Sequence, residues 1–371
     1  MMMLHYHFSG MKTKRIVFEN VFSVRDPAGL EHLKELTARR RLIEESINET
    51  SCITEATARE MTGGLTSRSQ QDIQKLEQYL PLLENFIRQV DSISRNKNLL
   101  ILELRIQWSS TLSTKFMIGG PKYFQINSLQ YELGMILFFY GITTRQRAFE
   151  VFSEDMQQAA SLLKKAAGIY KYLNAEVLPL LQSILPPEKP PETTINVSSA
   201  MVNLCLAEAQ AVAIKIAEKQ GLSNGVLAKL HYGVTQMLVE ANSLLQSGPR
   251  DIFRRLTEFI YSCSILHELR SHIHLAESYQ ASEQLGVSIG LLGRALSKAK
   301  NMPGEQSWRQ VYKTELNKVS DMLKKYKDEN AFVWQQKIPP EFELPPLEGR
   351  LVVNVTPYEP QRWERVIAFS T

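Results

Sequence analysis

MVNLCLAEAQAVAIKIAEKQGLSNGVLAKLHYGVTQMLVEANSLL, residues Met201–Leu245, is the stretch on which the fold turns. In its first half, Glu208, Lys215 and Lys219 fall on one narrow stripe at helical spacing, and most other positions are apolar or small. A helix that is apolar over most of its girth must be covered on several sides. Its alanines let neighbouring helices approach closely. Gly221, Ser223, Asn224 and Gly225 then punctuate the chain. A second helix follows, with Leu227, Leu230, Val234, Met237, Leu238, Ala241 and Leu245 as its apolar stripe and Gly248-Pro249 as its stop. The spacing predicts a helical hairpin in the middle of a larger helical scaffold. What that scaffold binds becomes the question.

The chain has 371 residues, 44% of them hydrophobic and 22% charged, which is globular usage. No run of about 18 apolar residues occurs, so no transmembrane helix is expected. Met1–Gly10 has no long apolar core and is not a secretory signal; it is expected to be a ragged tail, with Met11 as an alternative start. Cys52, Cys205 and Cys263 are scattered without CxxC spacing, which points to a reducing, cytosolic compartment and no disulfide framework. The sequons at Asn48, Asn196 and Asn354 are then silent. A net charge of +4 does not call for nucleic acid, although a clustered basic face would suit an anionic membrane.

Around the hairpin, Arg15–Val24 (RIVFENVFSV) reads as one or two short strands and Ala28–Ile47 as a charged helix. Thr54–Ser69 begins with a helical pattern and loops around Gly63-Gly64. Gln70–Ile93 is a helix with Pro81 inside as a kink. Leu99–Trp108 is the second strand-like run, and Gly119-Gly120-Pro121 a loop. Asn127–Thr144 is a strongly apolar core helix, and Phe149–Leu178 a long helix or a broken pair. Pro186–Pro191 is the plainest linker. Beyond the hairpin, Ile252–His274 is helical. Ala276, Tyr279, Ser288, Leu292 and Ala295 in Leu275–Lys300 then keep the spacing of a tetratricopeptide helix pair. Trp308–Asn330 is an amphipathic helix after a break at Asn301–Gly304. From Ala331 the chain is extended, apolar and proline-rich, which predicts a tail laid over the helices.

Chemistry is sparse. His267 and His272 lie five apart, about 140° around a helix, and so miss the HExxH zinc spacing. Cys263 and His267 are four apart and can face each other, as a thiolate–imidazolium pair or a metal half-site, but no third group is evident. A packed cysteine and a surface histidine is the plainer account. His272 and His274 point in different directions, and no P-loop, GxGxxG or GxSxG occurs. No cofactor, metal or small-molecule substrate is expected, and the chain reads as a non-enzyme.

Four blocks, in order, resemble the Bro1 domain of endosomal-sorting (ESCRT) accessory proteins: Ser128–Gly141 (SLQYELGMILFFYG), Ala159–Leu173 (AASLLKKAAGIYKYL), Leu206–Leu230 (LAEAQAVAIKIAEKQGLSNGVLAKL) and Asn330–Leu347 (NAFVWQQKIPPEFELPPL). Their order and spacing carry the resemblance, which extends over nearly the whole chain. It implies a single, mostly α domain over 1–371: a curved helical solenoid with a tetratricopeptide-like core and a small N-terminal β element. Residues 1–14 would be a disordered tail, 15–110 the β and helical N-terminal part, 111–330 the helical core and 331–371 the packed tail.

The resemblance further implies a non-catalytic adaptor, cytoplasmic and peripheral on endosomes. Its partner would be the amphipathic C-terminal helix of an ESCRT-III subunit of the charged multivesicular body protein type, held in a concave apolar groove. The family's apolar groove pair falls on Val226 and Leu230, which share a helix face at i,i+4, although both also fit ordinary core. A groove aromatic falls on Ala213 and a partner-pairing lysine on Gln157. Each departure is expected to weaken such an interface by about 1–3 kcal/mol. Trp334 stands where some members carry a phosphorylatable tyrosine, and the last residues, Ala368–Thr371, hold no prenylation cysteine. Membrane contact is then expected through a partner or a basic surface. Two other readings stay open: a membrane-surface scaffold binding anionic endosomal lipid or curvature, which would show a continuous basic stripe on its convex face, and a helical enzyme using Cys263 and His267.

Overall fold

The computed structural model describes residues 4–8, 10–49, 67–94, 104–113, 116–117, 120–249, 252, 254–299, 301–362 and 366–369. Helix α1 is one turn, Phe18–Val21, followed by α2 (Pro27–Asn48) and α3 (Arg68–Ser94). Four short strands come next: β1 (Gln107–Ser109), β2 (Phe116–Met117), β3 (Gly120–Pro121) and β4 (Tyr123–Gln125). The remaining helices are α4 (Leu129–Val151), α5 (Met156–Tyr172), α6 (Leu178–Leu181), α7 (Ile195–Lys219), α8 (Asn224–Gln246), α9 (Arg254–Ala281), α10 (Leu285–Ser297) and α11 (Gln306–Glu329). Strands β1 and β4 pair antiparallel with Trp108 opposite Phe124, and β2 pairs with β3. The long helices pack in the order α2, α3, α4, α5, α7, α8, α9, α10, α11, each on the one before, which is the arrangement of a helical solenoid.

The helices start where the sequence caps them. Asp26 accepts from Gly29 N at 3.0 Å with Pro27 opening α2, and Asp155 accepts from Gln158 N at 2.9 Å to open α5. The predicted hairpin is α7 and α8. Helix α7 is long and apolar enough to cross a membrane, but most of it is buried inside the fold, as in the core helix of a globular domain. Helix α3 runs continuously through Pro81. Phe149–Leu178 is a broken pair: α4 ends at Val151, and α5 passes through a wide π turn at Leu173–Val177 into α6. The tetratricopeptide-like pair is the end of α9 with α10, where Ser288 Oγ donates to Ala276 O at 2.8 Å.

Several expectations change. RIVFENVFSV is not a strand. Its last residue, Val24, makes a single bridge to Phe369, while Thr13 just before the segment bridges to Trp108, and the N–H of Phe18 goes to Thr37 Oγ1 at 2.9 Å instead of a ladder. One helical turn sets Phe18 and Phe22 edge-on against Phe86. Of Leu99–Trp108, only Gln107 and Trp108 are in a strand; residues 99–103 lie outside those described, as does the Gly63-Gly64 loop. The glycine loop at 119–121 is partly a short β2–β3 hairpin. The Pro186–Pro191 stretch ends in a buried 3-10 turn, where Glu192 accepts from Ser110 Oγ at 2.9 Å and Thr111 N at 2.8 Å.

The described N-terminal residues are not a ragged tail: Leu4, Tyr6, Phe8 and Met11 are buried. Arg145 explains their order. Buried itself, it donates from Nε to Glu208 Oε2 at 2.7 Å and from Nη1 to Tyr6 O at 2.8 Å, so one ion pair joins α4, α7 and the N-terminal segment. A second buried pair, Arg40 Nε to Glu132 Oε1 at 2.6 Å, joins α2 to α4, and Trp108 Nε1 donates to the other Glu132 oxygen at 2.7 Å. Such pairs are costly to break from one side, because the surviving charge is left buried alone.

Candidate functional site

The site expected at Val226, Leu230, Ala213 and Gln157 is built by α5, α7 and α8. Gln210, fully buried on α7, donates from Nε2 to Leu230 O at 2.8 Å, which fixes α7 and α8 side by side in antiparallel register. One turn forward on α7 and one turn back on α8 set Ala213 level with Val226. Ser198 Oγ of α7 donates to Tyr170 O of α5 at 2.8 Å. Equal steps back along α5 and forward along α7 from that contact bring Gln157 to the level of Ala211–Ala213. All four residues therefore lie toward the same end of three successive helices.

Their exposure differs. Gln157 is exposed in the first turn of α5, Ala213 and Val226 are half-buried, and Leu230 is 4% exposed and belongs to the core. The large apolar surface here comes from residues the sequence reading did not single out. Ala148, Leu163, Ala209 and Val212 form a small cluster apart from the main core, and Phe152, Met156, Ile216 and Val353 pack on it half-buried. Their signal was the helical spacing of Ala209, Val212 and Ile216, which reads equally well as core.

Val353 belongs to the extended tail, which crosses α8, α7 and α5 as expected. Gln210 latches it, with Nε2 donating to Arg350 O at 2.9 Å and Oε1 accepting from Val352 N at 3.1 Å. Arg350 N donates to Lys229 O at 2.9 Å, and Thr356 N to Lys164 O at 3.1 Å. The backbones meet at glycines: a Cβ on Gly168 would lie 1.8 Å from Thr356 O, and one on Gly233 2.4 Å from Arg350 O. Backbone pairing, rather than apolar burial throughout, holds the tail. Leu344, Ile367 and Phe369 are buried, while Phe332, Phe342 and Leu351 are exposed.

Cys263 and His267 do not pair as nucleophile and base. Burial pushes the Cys263 thiol up, away from the thiolate. His267 is not a surface histidine; it is buried, with Nδ1 2.9 Å from His231 Nδ1, and burial aided by Arg270 lowers its pKa to about 3.

The profile of the BRO1-like domain family matches residues 43–368. The Homo sapiens BRO1 domain-containing protein BROX is 26% identical over 303 residues, covering 76% of this chain and 72% of its own. The solved structure described as "ALIX BRO1 CHMP4C complex" superposes with a TM-score of 0.71 at 17% identity over 95% of both chains. Another, "Structure basis for endosomal targeting by the Bro1 domain", gives 0.66 at 14% identity over 96% of this chain and 94% of that one. These superpositions establish the fold: mostly α, a curved helical solenoid with a small β element.

Proposed function

The chain belongs to the BRO1-like domain family, and on that premise we propose that it is a non-catalytic adaptor of endosomal sorting that binds an amphipathic helix of an ESCRT-III subunit. The observation that carries this reading is the half-buried apolar cluster of Phe152, at the end of α4, with Met156 and Ile216, which lie on α5 and α7, the helices that bear Gln157 and Ala213. The fold is shared over its full length with a Bro1 domain solved in a complex with CHMP4C. An apolar strip between helices, bounded by the Val353 backbone, suits the apolar face of a helix. Phe152, Met156 and Ile216 supply contact area that Ala213 lacks, while exposed Gln157 offers hydrogen bonds but no charge. The protein then works peripherally on endosomes, brought there by its partner.

Purified protein titrated with fluorescent C-terminal helices of ESCRT-III subunits of the charged multivesicular body protein type tests this. Micromolar binding that Val226→Asp and Ile216→Asp abolish, both variants melting like the parent, supports the groove. Absence of binding to every such helix by folded protein overturns it.

One observation favours a second reading, contact with an anionic endosomal membrane. Phe332, Val333 and Phe342 are 86%, 69% and 84% exposed, and they follow the exposed Lys324, Lys325 and Lys327 of α11. Apolar tips beside lysines suit an anionic lipid surface. Co-sedimentation with phosphatidylserine vesicles, lost in a Phe332→Ser, Phe342→Ser variant, checks it; equal sedimentation of that variant overturns it.

A further inference from the structure

We propose that Glu218, His231 and His274 form a binding site for a divalent transition-metal ion of the zinc class. They stand on three helices, in the last turn of α7, the second turn of α8 and the last third of α9. Each offers one ligand atom, and these atoms all lie within 4.8 Å of one another. The register of α8 on α9 makes this meeting: Ser271 Oγ donates to Ala228 O at 2.8 Å, and Asn224 and His274 meet one turn further on.

His231 is fully buried, and its Nε2 has no hydrogen-bond partner among the described residues. Buried polar nitrogens are nearly always satisfied, so an orphan on a ring that offers a ligand atom to this cluster calls for a partner. The other ring nitrogens are already engaged. His231 Nδ1 lies 2.9 Å from His267 Nδ1, so a proton on the former, donated to the latter, leaves the Nε2 lone pair facing the cluster. His274 Nδ1 lies 3.0 Å from Asn224 Oδ1 and 3.3 Å from Glu277 Oε2, where it donates, and its Nε2 then faces Glu218 Oε1 at 4.0 Å. The two rings stack at an interplanar angle of 9°. Lys215 takes the second Glu218 oxygen at 3.4 Å and leaves Oε1 for the cluster. Imidazoles fixed through their remote nitrogens by outer partners are the arrangement of metal-ligating histidines.

Two imidazoles and one carboxylate suit a borderline ion such as Zn²⁺ or Co²⁺ and leave a fourth position for water. Bonds of about 2.0–2.1 Å in a tetrahedron separate ligand atoms by about 3.4 Å. The 4.0 Å between His274 Nε2 and Glu218 Oε1 must close to that, and one of the two stacked imidazoles must turn about its side-chain bonds so that both in-plane lone pairs meet at the ion. The ion would cross-link α7, α8 and α9 beside the turn at Gln220–Ser223, which ends three residues before Val226. The site does not depend on helix binding there.

The test uses the full chain stripped with a chelator, carrying His5→Ala and His7→Ala so that the N-terminal histidines contribute nothing. ZnCl₂ is followed by calorimetry and thermal unfolding, and CoCl₂ by its visible absorption. The expected result is one ion per chain, a melting temperature that rises with zinc concentration and the intense visible bands of tetrahedral Co²⁺. Glu218→Gln and His274→Ala, both at half-buried positions, should each weaken binding about tenfold or more, while His272→Ala leaves it unchanged. No zinc-dependent rise in melting temperature, or binding equal in parent, Glu218→Gln and His274→Ala, overturns the proposal.

Discussion

The hydroxyl of Tyr358 donates to Glu84 Oε1 at 3.0 Å, so a tail residue is held by a carboxylate of α3 that is itself buried. The second Glu84 oxygen has no hydrogen-bond partner among the described residues. Burial pushes the Glu84 pKa up to about 7, against the smaller opposing effects of the Tyr358 hydrogen bond and of Arg88. Tyr140 and Tyr172, whose rings lie against that of Tyr358, complete the surroundings. The folded state therefore holds a proton on Glu84 more tightly than the unfolded chain does. The stabilisation is full below the unfolded value of 4.5 and is lost as pH rises through about 7. Glu84→Gln, always neutral, is expected to flatten the fall in stability between acidic and alkaline pH by about 2–3 kcal/mol and to exceed the parent at alkaline pH. Urea unfolding across that range measures it; parallel curves for parent and variant would sink the assignment.

Gln210 serves two α-helices and the tail with one amide. Gln210→Ala leaves Leu230 O, Arg350 O and Val352 N without their partner, two acceptors and one donor. A cost of about 1–3 kcal/mol is expected. Because the tail is held mainly by backbone pairing, the loss should appear first as faster proteolysis between Glu348 and Tyr358. A digestion pattern identical to the parent would assign the tail's hold elsewhere. Gly168→Val should do the same by sterics, since a Cβ there meets Thr356 O.

Tyr6 packs its ring 4.9 Å from Phe8 and 5.4 Å from Phe259, and its carbonyl accepts from Arg145. Tyr6→Ala is expected to cost about 3 kcal/mol in chemical denaturation, as for other large-to-small changes in a core. A change below about 0.5 kcal/mol would return residues 4–8 to the ragged tail that their composition suggested.

What was legible in the sequence followed from periodicity. The α7–α8 hairpin, α2, α3 and α11 were readable because apolar stripes at helical spacing are decided locally. The tail was readable from Gln335 onward because its prolines disfavour helix; Ala331–Trp334, expected to be extended, instead continues α11 as a π turn that no proline interrupts. RIVFENVFSV was misread because β-branched and aromatic residues favour strand only where a partner strand exists, and here Val24, the segment's last residue, finds no more than a single bridge. Residues 4–8 were misread because nothing in them announces Arg145, more than a hundred residues away. Gln210 looked like an ordinary polar residue on an apolar helix; its role depends on a tail that returns from the far end of the chain. The four candidate groove residues were found by resemblance, whereas Phe152, Met156 and Ile216 required the packing of α4, α5 and α7. Glu218, His231 and His274 share no local spacing, so only the register of three helices brings them together.

Leu230 and Val226 share one face of α8 but answer different questions. Leu230 is 4% exposed, inside the main core, and its carbonyl is held by Gln210; Val226 is half-buried one turn nearer the α7–α8 turn. An aspartate at 230 would bury a charge with no cation to meet it, a loss of about 3 kcal/mol or more. Leu230→Asp is therefore expected to lower the melting temperature sharply or to prevent cooperative unfolding, so loss of binding in that variant would report on folding. Val226→Asp keeps its carboxylate near water and should melt within a few degrees of the parent while removing helix binding. Circular dichroism melts of both variants beside the parent decide this. A Leu230→Asp protein as stable as the parent would place that side chain at the surface and make it, rather than Val226, the sharper probe of the groove.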